Sequence, residues 1–289
     1  MGKVSVGAAI GASFSYLRSG WRGAWGILMI TVWLAAILQA IKVLRPDLAL
    51  VTALGAIISI FTATAASGAL YRLTLQRNHP GDGAYAAHEA GLQWGGLEWR
   101  VLGANIIIGL ILILIFLAAC FIWGIALAAS VGGHVADLGS VNSTDPAVRN
   151  AALMHLFLGP GLMASVILLV PAVCLLLFLF ARFILFAPLA ADGGGFDLGK
   201  AWALTRGAVL ATIGALIVIG VAEVTLGAIA GFFAGMVGGL AGGSAGARLW
   251  GGIAGAAMGG AISPPLLAGL QLYLYRAHTA NPAVAEAFS

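Results

Sequence analysis

Six long runs of apolar residues limit the folds open to this chain more than any other feature of its sequence. A transmembrane helix needs about 20 predominantly apolar residues, because the hydrocarbon core of a bilayer is about 30 Å thick. Only 8% of the residues are charged, whereas a soluble domain carries about 25%. The sequence therefore predicts an all-α membrane protein with six transmembrane helices. These are expected over residues 24–44, 48–70, 101–129, 151–187, 209–237 and 250–275.

Prolines are expected to shape two of these helices, because proline cannot donate a backbone hydrogen bond. The run at 151–187 is too long for one straight crossing and contains two prolines. It is expected to kink, or to add a short turn at its outer end. Near its other end Arg182 should reach the inner headgroups, and Pro188 should stop the helix. The adjacent Pro264 and Pro265 should break or bend the last run.

The distribution of basic residues predicts the orientation in the membrane. Cytoplasmic loops carry an excess of Lys and Arg. With six spans, both termini and the loops at 71–100 and 188–208 lie on one side, which holds ten of the fourteen basic residues. The other side holds Lys42, Arg45, Arg149 and Arg248. Both termini are therefore expected in the cytoplasm.

Three segments on that side are predicted to form amphipathic helices at the membrane surface. In the first, apolar residues from Val6 to Trp21 recur at spacings of three and four, as in one stripe of a helix. The other two segments mix small, aromatic and polar residues in a similar way. The expected surface helices cover 4–19, 84–99 and 195–206.

Each surface segment is followed by an outward and a returning span, which suggests a repeat. Arg18, Arg100 and Arg206 occupy equivalent places before the spans. The chain is thus expected to be one polytopic domain, 1–289, with a pseudo-threefold helix-plus-hairpin repeat. Its units would cover about 1–82, 83–192 and 193–289. The alternative is that any cytoplasmic segment beside a membrane has this composition.

Residues 181–220 resemble a pattern in YciC-like bacterial membrane proteins and in the membrane domain of some glycerophosphoryl diester phosphodiesterases. That pattern has an Arg at a span end, a proline, an acidic or glycine-rich turn, and a helix that ends in a Thr-Arg-Gly triplet. The matching residues here are Arg182, Pro188, Asp192, residues 201–204 and the triplet Thr205, Arg206 and Gly207. At 192–195 the sequence DGGG replaces a Glu-Gly turn of the family.

The resemblance implies six spans with surface helices in a bacterial inner membrane. It implies no activity, because the membrane part of that family has no defined reaction. The diesterases need a soluble catalytic barrel with metal ligands, and the longest loops here hold only about 20–30 residues.

Motifs for catalysis are not recognisable in this sequence. The five histidines have no paired metal spacing, and neither a GxSxG motif nor a Walker-type loop occurs. The chain is therefore expected not to be an enzyme and to need no cofactor or metal. Its basic residues are dispersed at the ends of apolar runs rather than clustered, so nucleic acid is not an expected partner.

Glu223 is the one acidic residue expected deep in the hydrocarbon region. It follows Arg206 by 17 residues, or about 25 Å of helix. A charge at that depth is costly, so the carboxyl should be neutral, paired or beside water. It could be a proton, cation or lipid site. It could instead be a neutral group that hydrogen-bonds to Ser263 or Thr225.

Glycines recur every four residues in the last two spans. Small residues at this spacing form a smooth face on which helix backbones can approach closely. This face predicts either a tight hairpin of spans five and six or an interface with a second copy or a partner protein. The glycines are Gly227, Gly231, Gly235, Gly239 and Gly243, followed by Gly251, Gly255 and Gly259.

Two functional hypotheses follow from these observations. The first is a non-catalytic inner-membrane protein that binds lipids or partner membrane proteins through its helix faces and surface helices. The second is a proton- or cation-coupled transporter of a small molecule that uses Glu223. A transporter needs a water-accessible cavity around Glu223, whereas the first hypothesis needs none.

Overall fold

The computed structural model describes residues 5–76, 79, 81–131, 141–158, 160–193 and 195–279. Lys3 and Arg77, two of the basic residues counted above, lie outside this part of the chain. The described residues are largely helical and include no strand. The all-helical fold class is therefore confirmed.

The α-helices are numbered here in chain order, and two short 3₁₀ helices lie between the second and the third. The α-helices are α1 (Val6–Leu44), α2 (Ala49–Leu75), α3 (Gly96–Val131), α4 (Pro146–Leu158), α5 (Pro160–Phe183), α6 (Phe186–Ala191), α7 (Leu198–Leu204) and α8 (Val209–Thr279). The 3₁₀ helices are Gly83–Tyr85 and Glu89–Gly91.

Five helices in the described part of the chain are long and apolar enough to cross a membrane. They cover Val6–Leu44, Ala49–Leu75, Gly96–Ala126, Ile167–Ala191 and Val209–Thr279. Large apolar side chains along them are exposed, among them Leu114 at 65% and Phe121 at 70%. Such continuous apolar surface suits lipid rather than water. The chain is therefore a multi-pass helical membrane protein.

The first surface segment is continuous with the first span. Helix α1 begins at the N-cap Ser5, whose hydroxyl accepts a hydrogen bond from Ala8 N at 3.2 Å. Its only break is a kink at Ala24, where the backbone leaves helical angles. Before the kink, Ala9 and Ser13 are fully buried while Phe14 is exposed. The small residues of this segment thus pack on protein, and part of its apolar stripe faces outward.

The second surface helix, expected over 84–99, is not formed. Its residues make the two 3₁₀ helices, and α3 begins only at Gly96. Ala90 and Gly91 have positive φ angles of 62° and 70°, which exclude an α-helix at this point. A Cβ at Gly91 would lie 3.0 Å from the Ala69 Cβ, so this backbone packs closely against α2.

The third surface segment, expected over 195–206, forms the seven-residue helix α7. Asp197 is its N-cap, and its carboxylate accepts a hydrogen bond from Lys200 N at 2.9 Å. Gly195 and Gly207, at the ends of the segment, have positive φ angles and therefore limit the helix.

Within the expected fourth span, the described residues form α4, up to Leu158, and α5, from Pro160. Pro171 lies within α5. The helix ends at Phe183, five residues before Pro188, which instead lies in α6. The expectation that Pro188 stops the span was therefore wrong. Proline suits the first turn of a short helix, where its missing N–H has no partner to lose.

Helix α8 folds back on itself at Gly242 and Gly243. Both residues have non-helical backbone angles, and the φ of Gly243 is 61°, which favours glycine. The two arms run antiparallel. A Cβ at Gly231 would lie 2.9 Å from the Gly251 carbonyl oxygen, and one at Gly255 would lie 3.3 Å from the Gly227 carbonyl oxygen.

Helix α8 continues through Pro264 and Pro265, where the sequence predicted a bend. Its residues with non-helical angles lie only at Gly242 and Gly243. A proline at position i leaves the carbonyl of residue i−4 without its helical donor. Pro265 therefore leaves the Ala261 oxygen unpaired, and the Trp21 indole Nε1 donates to that oxygen at 2.9 Å. A side chain of α1 thus satisfies this backbone group of α8.

The chain divides into two compact units. The first comprises Met1–Ile106 and Arg182–Ser289, and the second Ile107–Ala181. The largest fully buried side chains, including Tyr71, Phe186 and Leu270, all belong to the first unit. Its core is formed by α1, the second half of α2, α6 and the final part of α8.

We predict that Gly231→Leu or Gly235→Leu will separate the two arms of α8. A side chain at either position would meet a backbone oxygen of the opposite arm, at 2.9 Å for Gly231 and 3.2 Å for Gly235. Overpacking of this kind costs about 1–3 kcal/mol. Thermal unfolding in mild detergent should show a lower Tm for both variants.

The control is Gly220→Leu in the same helix, because a Cβ there meets no atom within 4 Å. Its Tm should equal or exceed that of the parent chain, since leucine has the higher helix propensity. Parental behaviour of all three variants would contradict the close approach of the arms.

Candidate functional site

Buried and half-buried polar side chains gather at one end of the first unit. They come from the C-terminal ends of α2 and α8, the segment after α2 with its first 3₁₀ helix, the start of α3 and the turn after α6. We call these residues the polar cluster: Tyr71, Arg72, His79, Tyr85, Glu98, Asp192, Gln271 and Tyr275.

Arg72 and Glu98 form a bidentate ion pair inside this cluster. Arg72 Nε donates to Glu98 Oε1 at 2.9 Å, and Nη2 donates to Oε2 at 2.7 Å. The side chains are 7% and 0% exposed. Gly95 N also donates to Glu98 Oε2, at 2.8 Å, and Arg72 Nη1 donates to the Ala84 carbonyl. The pair therefore connects α2, the first 3₁₀ helix and the start of α3.

Gly68 makes the space for this ion pair. A Cβ at Gly68 would lie 2.8 Å from Glu98 Oε1 and 2.9 Å from its Cγ. Real Cβ atoms are essentially never found that close to another atom. One turn of α2 thus presents a glycine at 68 that admits the carboxylate and an arginine at 72 that neutralises it.

Gln271 connects α2, α8 and the turn between α5 and α6. Its Oε1 accepts a hydrogen bond from the Tyr71 hydroxyl at 2.5 Å, and its Nε2 donates to the Ile184 oxygen at 3.2 Å. Pro188 is four residues after Ile184 and cannot donate to that oxygen. Gln271 therefore replaces the missing donor, as Trp21 does for Ala261.

Asp192 bridges three parts of the cluster. Its Oδ1 lies 2.7 Å from His79 Nε2, and its Oδ2 accepts a hydrogen bond from the Tyr275 hydroxyl at 2.6 Å. The His79 ring stacks on Tyr85 with centroids 4.6 Å apart. Burial, with the nearby Asp192 carboxylate, raises the pKa of the Tyr85 phenol, while Arg100 opposes this shift. Tyr85 is therefore a neutral hydrogen-bonding group at neutral pH.

Two elements of the resemblance pattern lie in contact. The Thr205 hydroxyl is 3.0 Å from the Arg182 carbonyl oxygen, which it helps to satisfy at the end of α5. Arg182 Nη1 donates to the Trp202 oxygen at 3.2 Å, and its guanidinium carbon lies 4.5 Å from the centre of the Trp202 ring. Arg182 thus packs on α7 and is half-buried.

A groove of about 580 Å³ lies beside the polar cluster, between α1 and the ends of α2 and α8. We call it the Arg276 groove. The Arg276 guanidinium is exposed and makes one long hydrogen bond, 3.5 Å, to the Thr74 oxygen. The remaining lining is Ala12, Ser15, Tyr16, Ser19, Leu73, Gly269, Leu272, Tyr273 and Ala277.

A second cavity, of about 310 Å³, lies on the 3₁₀ segment and the start of α3. We call it the Arg100 cavity. Arg100 is exposed at this point, and Tyr85 and Arg72 of the polar cluster contribute to the wall. Its lining also includes Gly83, Ala84, Ala86, His88, Gln93, Trp94, Gly95, Gly96, Leu97 and Ala191.

Glu223, which the sequence indicated as a candidate polar site, lies outside both cavities. Glu223 is half-buried in α8 and lies close enough to the Ser263 hydroxyl of the other arm to interact with it. Its neighbour Val224 is 74% exposed, on the apolar surface of the helix. Neither Glu223 nor Ser263 lines the Arg276 groove or the Arg100 cavity.

The predicted glycines lie along the meeting line of the α8 arms, with one exception. Gly227, Gly231 and Gly235 face Gly255, Gly251 and Ala247. Gly239 faces Ala247, and Gly243 forms the turn. Gly259 has no atom within 4 Å of a Cβ.

Among the predicted interfacial arginines, Arg18, Arg100 and Arg206 are exposed, and of these Arg100 lines a cavity.

Sequence reasoning missed most of the polar cluster. His79 and Asp192 are 113 residues apart, and Tyr71 and Gln271 are 200 apart, so no local spacing relates them. One signal was present: Arg72 and Glu98 each lie at the end of an apolar run. Within the described chain, no group of three or more His, Cys, Asp or Glu side chains could hold a metal ion.

Comparison with protein-family models, with curated proteins and with solved structures finds no match to this chain. Function is therefore inferred from the residues of the polar cluster and from the two cavities beside it.

We predict that Glu98→Gln will strongly destabilise the protein. The change leaves the Arg72 guanidinium buried without a countercharge, which typically costs about 3–5 kcal/mol. The measurement is thermal unfolding in mild detergent, read as a lower Tm.

The control is Asp47→Asn, which removes the exposed Arg45–Asp47 ion pair. That pair also has an N–O distance of 2.8 Å, but its side chains are 62% and 59% exposed. Solvent screening makes such a pair nearly neutral to stability. Equal effects of the two substitutions would show that Arg72–Glu98 does not hold the cluster together.

Proposed function

We propose that this chain is a non-catalytic inner-membrane protein that crosses the bilayer six times and binds phospholipid at its cytoplasmic face. The observation that carries the proposal is the Arg276 groove. Its wall combines a guanidinium and several hydroxyl groups with alkyl side chains. That combination matches a lipid headgroup joined to the beginning of its acyl chains.

The polar part of the groove suits a phosphate. A guanidinium presents several N–H donors in a plane that fits phosphate oxygens. One N–H of Arg276 makes a weak hydrogen bond to the Thr74 carbonyl oxygen. The same groove is lined by Tyr273, Ser15 and Ser19. Their hydroxyl groups can form hydrogen bonds with the glycerol part of a headgroup, as donors or as acceptors.

The apolar part of the groove suits acyl chains. Leu73, Leu272 and Ala12 contribute alkyl groups to its lining. The volume, about 580 Å³, lies within the range of about 300–1,000 Å³ that is usual for small-molecule sites. The groove is therefore large enough for a headgroup and the first carbons of its chains.

The placement in the membrane is supported by the turn of α8 and by the basic residues. The break at Gly242 and Gly243 leaves two arms, each longer than the about 20 residues that a crossing needs. Together with the other four apolar helices this supports six crossings. Arg276 is on the side that holds ten of the fourteen basic residues, which favours the cytoplasm. The bacterial setting rests on the YciC-like resemblance.

We predict that Arg276→Gln will reduce the amount of phospholipid that remains bound after purification. Loss of a charge-assisted hydrogen bond weakens binding by about tenfold or more. Native mass spectrometry of the whole chain in mild detergent measures the bound lipid directly.

The control is Arg248→Gln, because Arg248 lies near the α8 turn, far along the helix from the groove. It should retain as much lipid as the parent chain. Equal lipid retention by both variants would overturn the groove as the lipid site.

The alternative function, a coupled transporter, would give Glu223 a direct role. Its interaction with Ser263 across the α8 arms and its position among exposed apolar side chains favour a structural role. A neutral carboxyl that pairs with a hydroxyl is one way in which membrane helices associate. We therefore place Glu223 in the packing of α8 rather than on a transport path.

We predict that Glu223→Gln will leave the Tm nearly unchanged at every pH from 5 to 9, because glutamine can still pair with Ser263. Glu223→Leu, the matched variant without a polar group, should lose about 0.5–1.5 kcal/mol of stability. A difference between the parent chain and Glu223→Gln that grows with pH or with sodium concentration would instead favour coupled transport.

A further inference from the structure

We propose that the Arg100 cavity is a second binding site, which takes the phosphate of an anionic phospholipid. The proposal rests on the membrane placement given under the proposed function, but it does not depend on the Arg276 groove. The two sites share no lining residue.

The charge of the cavity comes from Arg100. Arg72 also lines it, but its charge is neutralised by Glu98. The carboxylates of Asp82 and Asp192 are directed elsewhere: Asp82 accepts a hydrogen bond from Ala84 N at 2.9 Å, and Asp192 contacts His79 and Tyr275. The exposed Arg100 guanidinium is thus the positive group left for a ligand, and it favours an anion.

Gln93 supplies a donor that has no acceptor among the residues that the structure describes. Its Oε1 accepts a hydrogen bond from His88 N at 3.1 Å, which orients the amide. Its Nε2 is buried and has no hydrogen-bond partner. A buried donor of this kind is unfavourable until an acceptor reaches it. Gln93 and His88 both line the cavity, so rotation of the Gln93 side chain toward a bound phosphate gives this donor its acceptor.

Glycine backbone keeps the cavity open. A Cβ at Gly83 or Gly96 would meet no atom within 4 Å, so both positions border open space. Because these two glycines have no side chains, a ligand can approach their backbone closely. The site is therefore formed by a cation, a free amide donor and bare backbone.

Aromatic residues beside the cavity favour a lipid over a soluble phosphate compound. Trp94 lines the cavity and is 39% exposed. Its ring lies 5.3 Å from Trp99 and 5.8 Å from Phe61, measured between centroids. Exposed tryptophans concentrate at the level of lipid headgroups. The cavity thus opens where the phosphates of a bilayer are found.

The test uses the whole chain, delipidated in detergent and supplied with one lipid at a time. Native mass spectrometry counts bound phosphatidylglycerol and, as a ligand control, diacylglycerol with the same acyl chains but no phosphate. The parent chain should bind up to two molecules of phosphatidylglycerol. Arg100→Gln and Gln93→Leu should each weaken one of the two binding events by about tenfold.

The matched variant is Arg206→Gln, which removes another exposed arginine of the same side that lines neither cavity. It should bind like the parent chain. If Arg100→Gln also binds like the parent, the proposal is overturned. Arg276→Gln should remove the other binding event, so failure of the groove and failure of the Arg100 cavity are distinguishable. Equal Tm values for the parent and Arg100→Gln show that the fold is intact.

Inorganic phosphate separates a lipid from a soluble ligand. Titration at constant ionic strength is followed by tryptophan fluorescence, with Trp94→Phe to identify the responding residue. No change below about millimolar phosphate supports a lipid site, since the acyl chains then supply part of the affinity. Saturable micromolar binding of phosphate that is lost in Arg100→Gln would overturn the lipid assignment in favour of a soluble phosphate compound. Equal binding of diacylglycerol would overturn the role of the phosphate.

Discussion

The ion pair between Arg72 and Glu98 is the interaction on which the polar end of the first unit depends. Desolvating two charges is expensive, and only good geometry with additional hydrogen bonds offsets that cost. Here the bidentate contact, the Gly95 N–H and the Ala84 oxygen supply them. Because Ala84 lies in the first 3₁₀ helix and Gly95 directly precedes α3, the pair also sets the path of the chain around the Arg100 cavity. The stability of α2 and the shape of a proposed binding site are therefore linked.

Backbone hydrogen bonding is the second constraint, and it explains two long-range contacts. In a lipid environment an unpaired carbonyl has no water to bind. Pro265 and Pro188 each leave such a carbonyl, on Ala261 and Ile184. Side chains from distant elements, Trp21 and Gln271, donate to these oxygens. Each of these two missing backbone donors is thus replaced by a side chain, and each replacement fixes one element against another.

The sequence predicted the features that depend on local composition. Long apolar helices follow from hydropathy, and the close approach at Gly231 is consistent with the four-residue glycine spacing. The prediction of a surface helix over 84–99 was wrong. It was made from a mixture of small, aromatic and polar residues like that of the N-terminal segment, whereas Ala90 and Gly91 adopt positive φ angles. The polar cluster could not be predicted, because its pairs are joined by tertiary folding. The number of crossings and the threefold repeat stay predictions.

The first unit is held together by different means at its two ends. Toward the α8 turn, glycine lets two backbones approach, so packing there depends on the absence of side chains. At the other end, tyrosines, a glutamine and an ion pair connect α2, α3, α6 and α8 through directional bonds. Directional bonds need polar groups, and polar groups need either partners or ligands. The end that is rich in such groups is also where Arg276, Arg100 and Gln93 keep unused donors. Ligand binding is therefore expected there, and the glycine end is expected to remain a packing surface.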